Sequence, residues 1–138
     1  MSVESRRAAR RQAVFLLYQQ DLTSLPIEEL ETNAERDRSR VLDAYTRAVV
    51  RGVMTDLETI DASIDRAASG WSVDRIAPLE RNILRVAVHE ILSRDDIPAA
   101  IAIDEAVETA KRYCQADAGG FVNGILGNVA REHEGVAP

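Results

Sequence analysis

The run Leu79-Glu80-Arg81-Asn82-Ile83-Leu84-Arg85-Val86-Ala87-Val88-His89-Glu90-Ile91 decides the fold class. Its apolar members Leu79, Ile83, Val86, Ala87 and Ile91 recur at steps of three and four, the spacing of one helix face, with no sustained alternation of period two. That helix must stop before Asp95, Asp96 and Pro98, because the residue preceding a proline is pushed out of the α region. The same spacing continues outward in both directions. Downstream it predicts helices over about 100–113 and 120–132. Upstream it predicts one over about 5–21 with Ser2 or Ser5 as N-cap, and a short acidic helix from Pro26. Two more follow, over about 37–57, with Val41, Tyr45, Ala48 and Val49 on one side, and over about 56–67. Gly70 and Trp71 interrupt the pattern, and a polar stretch from Ser72 ends at Pro78. The expected fold is therefore all-α, one domain over 1–138 with helical halves 1–69 and 70–138. Trp71 reads as a hydrophobic cap over their junction.

Composition agrees with one ordinary globular domain: 138 residues, 46% hydrophobic and 29% charged. The single cysteine, Cys114, can form neither an internal disulfide nor a zinc site, which points to a reducing compartment. No apolar run approaches the ~20 residues of a membrane span, and the arginine-rich start lacks the apolar core of a secretory signal. A cytoplasmic protein is expected.

The net charge of −6 conceals an asymmetry. Residues 1–11 hold Arg6, Arg7, Arg10 and Arg11 against Glu4, which leaves thirteen basic and twenty-two acidic groups over the rest of the chain. A basic arm thus precedes an acidic body. On a helix, Arg7, Arg11, Val14 and Tyr18 fall in one narrow stripe about 16 Å long. Guanidinium forks pair with phosphates, and an aromatic ring offers a base a stacking platform. Arginines in the first turns of a helix also oppose its macrodipole, at a cost of a few tenths of a kcal/mol each, up to about 1. Two readings stand open on this evidence, a polyanion-binding arm and a plain solvated face.

Gly119-Gly120-Phe121-Val122-Asn123-Gly124, with Gly127 one turn later, opens the last helix. Glycine in a helix costs about 1 kcal/mol relative to alanine, and the expected reason for Gly124 and Gly127 is tight packing against a neighbour. By the same physics Phe121 reads as a core anchor. Enzyme signatures are missing. His89 and His133 have no ligand-like spacing, so neither metal nor cofactor is expected, and there is no phosphate loop or nucleophile elbow. Glu105 and Glu108 read as a solvated face. Arg81 and Arg85 read as salt-bridge formers on or between helices.

Taken together the segments resemble the NusB family of bacterial transcription antitermination factors. The likeness rests on Arg6-Arg7-Ala8-Ala9-Arg10 with Ala13 and Leu17-Tyr18, on Trp71, on Leu79 through Ala87 with Glu90, on Ile97-Pro98 with Ile103-Asp104-Glu105-Ala106-Val107-Glu108-Thr109-Ala110-Lys111, and on Phe121-Val122-Asn123-Gly124-Ile125-Leu126. Residues 22–60 match only in helical character. The resemblance implies two three-helix bundles packed roughly at right angles. It further implies a binding function with no catalysis: recognition of boxA RNA together with NusE, a small-subunit ribosomal protein, in a complex that helps RNA polymerase read through terminators in ribosomal RNA operons. By matching position, Arg6, Arg7 and Arg10 would hold RNA, with Arg11 supplying a further charge. Tyr18, Glu80 and Phe121 would line the RNA surface, which moves Phe121 toward exposure, and Asp117 would lie near the NusE interface. Ala8 stands where relatives can carry a third consecutive arginine, and Gly120 where they can carry a basic residue.

Two other readings compete with this one. NusB-like domains also precede the catalytic part of some ribosomal RNA cytosine methyltransferases, but 138 residues leave no length for a methyl-donor-binding domain. A self-associating helical module, a homodimer, would bury the arginine helix. On the RNA-binding reading, Arg7→Ala or Arg10→Ala is expected to weaken RNA binding without unfolding the domain.

Overall fold

A computed structural model describes residues 3–135, and over them the chain is helical. Seven α-helices follow in order: α1 (Val3–Thr23), α2 (Ile27–Arg38), α3 (Ala44–Thr55), α4 (Leu57–Ala67), α5 (Pro78–Ser93), α6 (Ala99–Tyr113) and α7 (Ala118–His133), with one 3₁₀ turn at Val73–Arg75. None of the described helices is long and apolar enough to cross a membrane. Ser5 lies inside α1, so it is not the N-cap, and Ser2 lies outside the described residues.

The segment that decided the class is the centre of the molecule. Helix α5 begins at Pro78, whose missing N–H costs nothing at a first-turn position. It packs against α1, α3, α4, α6 and α7. Ile83, Leu84, Val86, Ala87, Val88 and Ile91 are buried on it, so the apolar face is wider than the stripe read from the sequence. All seven helices contribute to the same hydrophobic cluster.

The expected helix over 37–57 is corrected by the structure. Helix α2 runs on to Arg38, and Ser39 takes a left-handed φ of 55°. Its N–H donates to the Arg36 carbonyl at 3.2 Å, and that of Arg40 to the Glu35 carbonyl at 3.2 Å, which closes the helix end in a Schellman pattern without glycine. Helix α3 then starts afresh: Asp43 accepts from the Tyr45 N–H at 2.7 Å, and Glu35 accepts from the Leu42 N–H at 2.8 Å. Because Val41 belongs to this connection, it is 78% exposed rather than in the core, and Ala48 is exposed as well. Tyr45, Thr46, Val49, Val50 and Val53 form the buried face instead.

The glycine reading is also corrected. A Cβ on Gly120 or Gly124 would meet nothing within 4 Å, and one on Gly127 only the flexible end of Arg131, so none marks tight helix packing. The close approach lies elsewhere, at Gly52 on α3, over which the His89 ring of α5 is seated.

His89 is buried, and its Nδ1 has no hydrogen-bond partner. Burial is the main cause that lowers its pKa; Arg94 lowers it further, while Glu90 and Asp56 oppose the shift. The unfolded chain therefore takes a proton that the folded chain refuses. Stability from this group is complete above about pH 6.5 and is lost as pH falls below that value, with a slope of up to about 1.4 kcal/mol per unit. Urea unfolding between about pH 7.5 and 5 is expected to show this loss, and His89→Gln, neutral throughout, is expected to flatten it.

Candidate nucleic-acid interface

Three arginines of α1, Arg6, Arg7 and Arg10, stand against carboxylates. Arg10 is 5% exposed, and its Nε donates to both oxygens of Glu90 at 2.9 and 3.0 Å. Glu90 is fully buried at 0% exposure and also accepts from the Tyr45 hydroxyl. Burial would lower the Arg10 pKa, but the hydrogen bond and charge of Glu90 outweigh it and hold the guanidinium above its ordinary value. The Tyr45 phenol is pushed up to about 12 by burial and by its bond to Glu90. Arg6 and Arg94 lie over the Tyr45 ring at 4.1 and 5.0 Å from its centroid. Asp96 pairs with Arg94 at 3.1 Å and stands 3.9 Å from Arg6.

Arg7 points outward, with half its side chain exposed, and donates through Nε to Glu105 at 2.7 Å. Glu105 is only 14% exposed and also lies 3.9 Å from Arg10 Nη1, so the expectation of a solvated Glu105 is overturned; Glu108 is exposed. Arg11 is half-buried and lines a groove between α1 and α6 with Arg7, Glu105, Glu108, Thr109 and Arg112. The stripe from Arg7 to Tyr18 is thus a seam rather than an outward face: Val14 within it is buried, and Arg11 and Tyr18 are half-buried. Along the same seam Phe15 meets Tyr113 edge to face at 5.1 Å, and Arg112 lies 5.4 Å from the Tyr113 ring.

Asp21 fixes the far end of α1 on α5. It accepts from Arg81 Nε at 2.8 Å, Asn82 Nδ2 at 2.9 Å and Arg85 Nη1 at 3.2 Å. Burial would raise its pKa, but the bonds from Arg81 and Asn82 and the two arginine charges lower it. Arg85 also makes a two-pronged pair with Asp61 at 2.9 Å. Arg81 and Arg85 are salt-bridge formers as expected, with partners on α1 and α4 that no local spacing discloses.

A second cluster lies at the start of α7. Phe121 is half-buried against the core and meets Trp71 edge to face at 6.0 Å, while Trp71 itself is 52% exposed. Trp71 is therefore no closed cap, and Phe121 is at once anchored and accessible. Glu80 faces the same region: its pKa is raised by burial first and then by the charge of Asp117. Burial and Glu80 together push the Cys114 thiol up, which disfavours the thiolate. Gly120, Asn123 and Gly124 leave the adjoining surface of α7 low and open. Among the described residues no group of histidine, cysteine, aspartate and glutamate is placed to hold a metal ion.

The family model for NusB matches residues 7–131, a span that takes in both clusters apart from Arg6. The chain belongs to the NusB family. Its curated relatives include the transcription antitermination protein NusB of Rubrobacter xylanophilus, 43% identical over 122 residues covering 88% of this chain and 87% of the relative. That of Ruminiclostridium cellulolyticum is 38% identical over 128 residues, covering 91% and 88%. Among solved structures, T. maritima NusB aligns with a TM-score of 0.83 at 37% identity, covering 96% of this chain and 93% of that one. A NusB crystallised with NusE and double-stranded RNA aligns with a TM-score of 0.84 at 28% identity, covering 95% and 99%. The NusB family is thus one of transcription antitermination proteins, and the fold is shared over nearly the full chain.

Proposed function

We propose that this NusB-family protein binds single-stranded boxA-type RNA jointly with NusE, in the cytoplasm, as part of the antitermination complex on RNA polymerase, and that it performs no chemical step. The observation that carries the reading is the combination of an outward Arg7 beside Arg11 and Arg112 with an accessible Trp71–Phe121 pair. Cations for phosphates and rings for bases are the two elements single-stranded recognition requires. The solved relative with NusE and double-stranded RNA supports NusE and RNA as the classes of partner. The acidic balance of the chain beyond its first residues suits a basic ribosomal protein, whose own charge would extend the phosphate track.

The roles divide by exposure. On this reading Arg7 and Arg11 meet phosphates, Tyr18, Glu80 and Phe121 line the RNA surface, and Asp117 lies near the NusE interface. Arg6 is stacked on Tyr45, and Arg10 supports the surface from within.

Anisotropy of a labelled boxA-like RNA titrated with protein tests this. Arg7→Ala is expected to weaken binding by a similar factor for boxA-like and scrambled RNA, and to reduce the salt slope by up to about 0.7, with the melting transition unchanged. Phe121→Ala is expected to cost about 1–3 kcal/mol of binding. An unchanged salt slope for Arg7→Ala, with full affinity for Phe121→Ala, would contradict the assignment.

A further inference from the structure

Glu105 occupies a position that the proposed RNA function does not call for. It is a carboxylate on α6, almost out of solvent, placed between the outward Arg7 at 2.7 Å and the buried Arg10 at 3.9 Å, at the floor of a groove that three arginines line. A solvated carboxylate would gain little from one exposed ion pair. Here the partner is an exposed guanidinium open to a phosphate. We infer that Glu105 is a positioning residue that sets affinity: an internal counter-carboxylate that holds Arg7 in the groove between α1 and α6 and must yield, in part, when an RNA phosphate enters. The inference rests on the RNA-binding reading above.

The chemistry is direct. Glu105 engages the Nε edge of Arg7, so a phosphate takes the remaining Nη edge beside a fixed negative charge. The groove has Arg7, Arg11 and Arg112 against Glu105 and Glu108, a side-chain balance of one positive charge. Arg7 therefore presents far less attraction to an arbitrary polyanion than an unpaired arginine would. Stacking and base contacts made elsewhere offset the repulsion. The carboxylate lowers affinity for every RNA by a similar factor, because the phosphate term is the part of binding that carries no sequence information, and the ratio between two RNAs is left unchanged.

Glu105→Gln tests this, since the amide keeps the size of the side chain and an oxygen for the Arg7 Nε. Anisotropy titrations use boxA-like and scrambled RNA with wild type, Glu105→Gln, Arg7→Ala and the double variant, at two salt concentrations. The expected result for Glu105→Gln is about three- to tenfold tighter binding to both RNAs near 0.1 M salt, and a salt slope steeper by part of the ~0.7 that one phosphate-pairing arginine contributes. In the Arg7→Ala background the same substitution is expected to give no gain. Glu105→Met, uncharged and of similar bulk, is expected to give the same gain if the glutamine variant melts early. A gain of equal size without Arg7 would overturn the inference, because Glu105 would then act only as bulk charge. So would unchanged or weaker binding by both Glu105 variants. Failure of the wild type to bind either RNA would instead overturn the RNA-binding reading itself, and this inference with it.

Discussion

Replacing Arg10 by alanine is expected to destabilise the fold by about 3–5 kcal/mol, as measured by urea unfolding at pH 7. Arg10 and Glu90 form an ion pair sealed between α1 and α5, with Glu90 at 0% exposure. Removing the guanidinium strands a buried carboxylate that loses both bonds from Arg10 and keeps that from the Tyr45 hydroxyl. Such a charge must either take up a proton or draw in water, and both act against folding. The simultaneous change of Arg10→Met and Glu90→Gln is expected to recover most of the loss, because no charge is then left unpaired and the glutamine oxygen still accepts from Tyr45. This corrects the expectation that Arg10→Ala would weaken RNA binding and leave the domain intact. Any loss of RNA affinity in that variant follows from a displaced α1. An Arg10→Ala protein as stable as the wild type would show that the pair is not closed to water.

Gly52→Ala is the second large effect. The added methyl would stand 2.2 Å from His89 Cε1 and 2.7 Å from Nε2, inside the contact distance of a buried ring. Alanine is the better helix former by about 1 kcal/mol, so an exposed site would be stabilised. Here overpacking prevails, and a net loss of at least about 2 kcal/mol is expected, since either the ring leaves its place or α3 and α5 separate. Combining Gly52→Ala with His89→Ala removes the obstacle and is expected to restore much of the loss. A single variant equal to or above the wild type in stability would mean that α3 and α5 do not approach this closely.

Sequence spacing disclosed the elements that rest on a continuous apolar face, and Leu79 through Ile91 is the clearest of them. It misread residues 37–43, because Ser39 holds a left-handed φ without glycine and a side-chain cap on Asp43 restarts the helix. Neither leaves a signature that periodicity detects. The arginine stripe was legible as a stripe, but a helical wheel gives angle without depth. It cannot tell that Arg10 faces a buried Glu90 eighty residues away while Arg7 faces solvent. Tyr45, Glu90 and Glu105 were missed as functional neighbours because long-range ion pairs have no local spacing. Phe121 was read both as core and as exposed, and its half-burial against an open Trp71 reconciles the two.

Titrating a labelled boxA-like RNA and a scrambled RNA with the protein, alone and with its cognate NusE, is the most direct test of the central claim. The account predicts selective binding to the boxA-like RNA that NusE strengthens and that salt weakens. Weak binding that ignores sequence and is unchanged by NusE would contradict it.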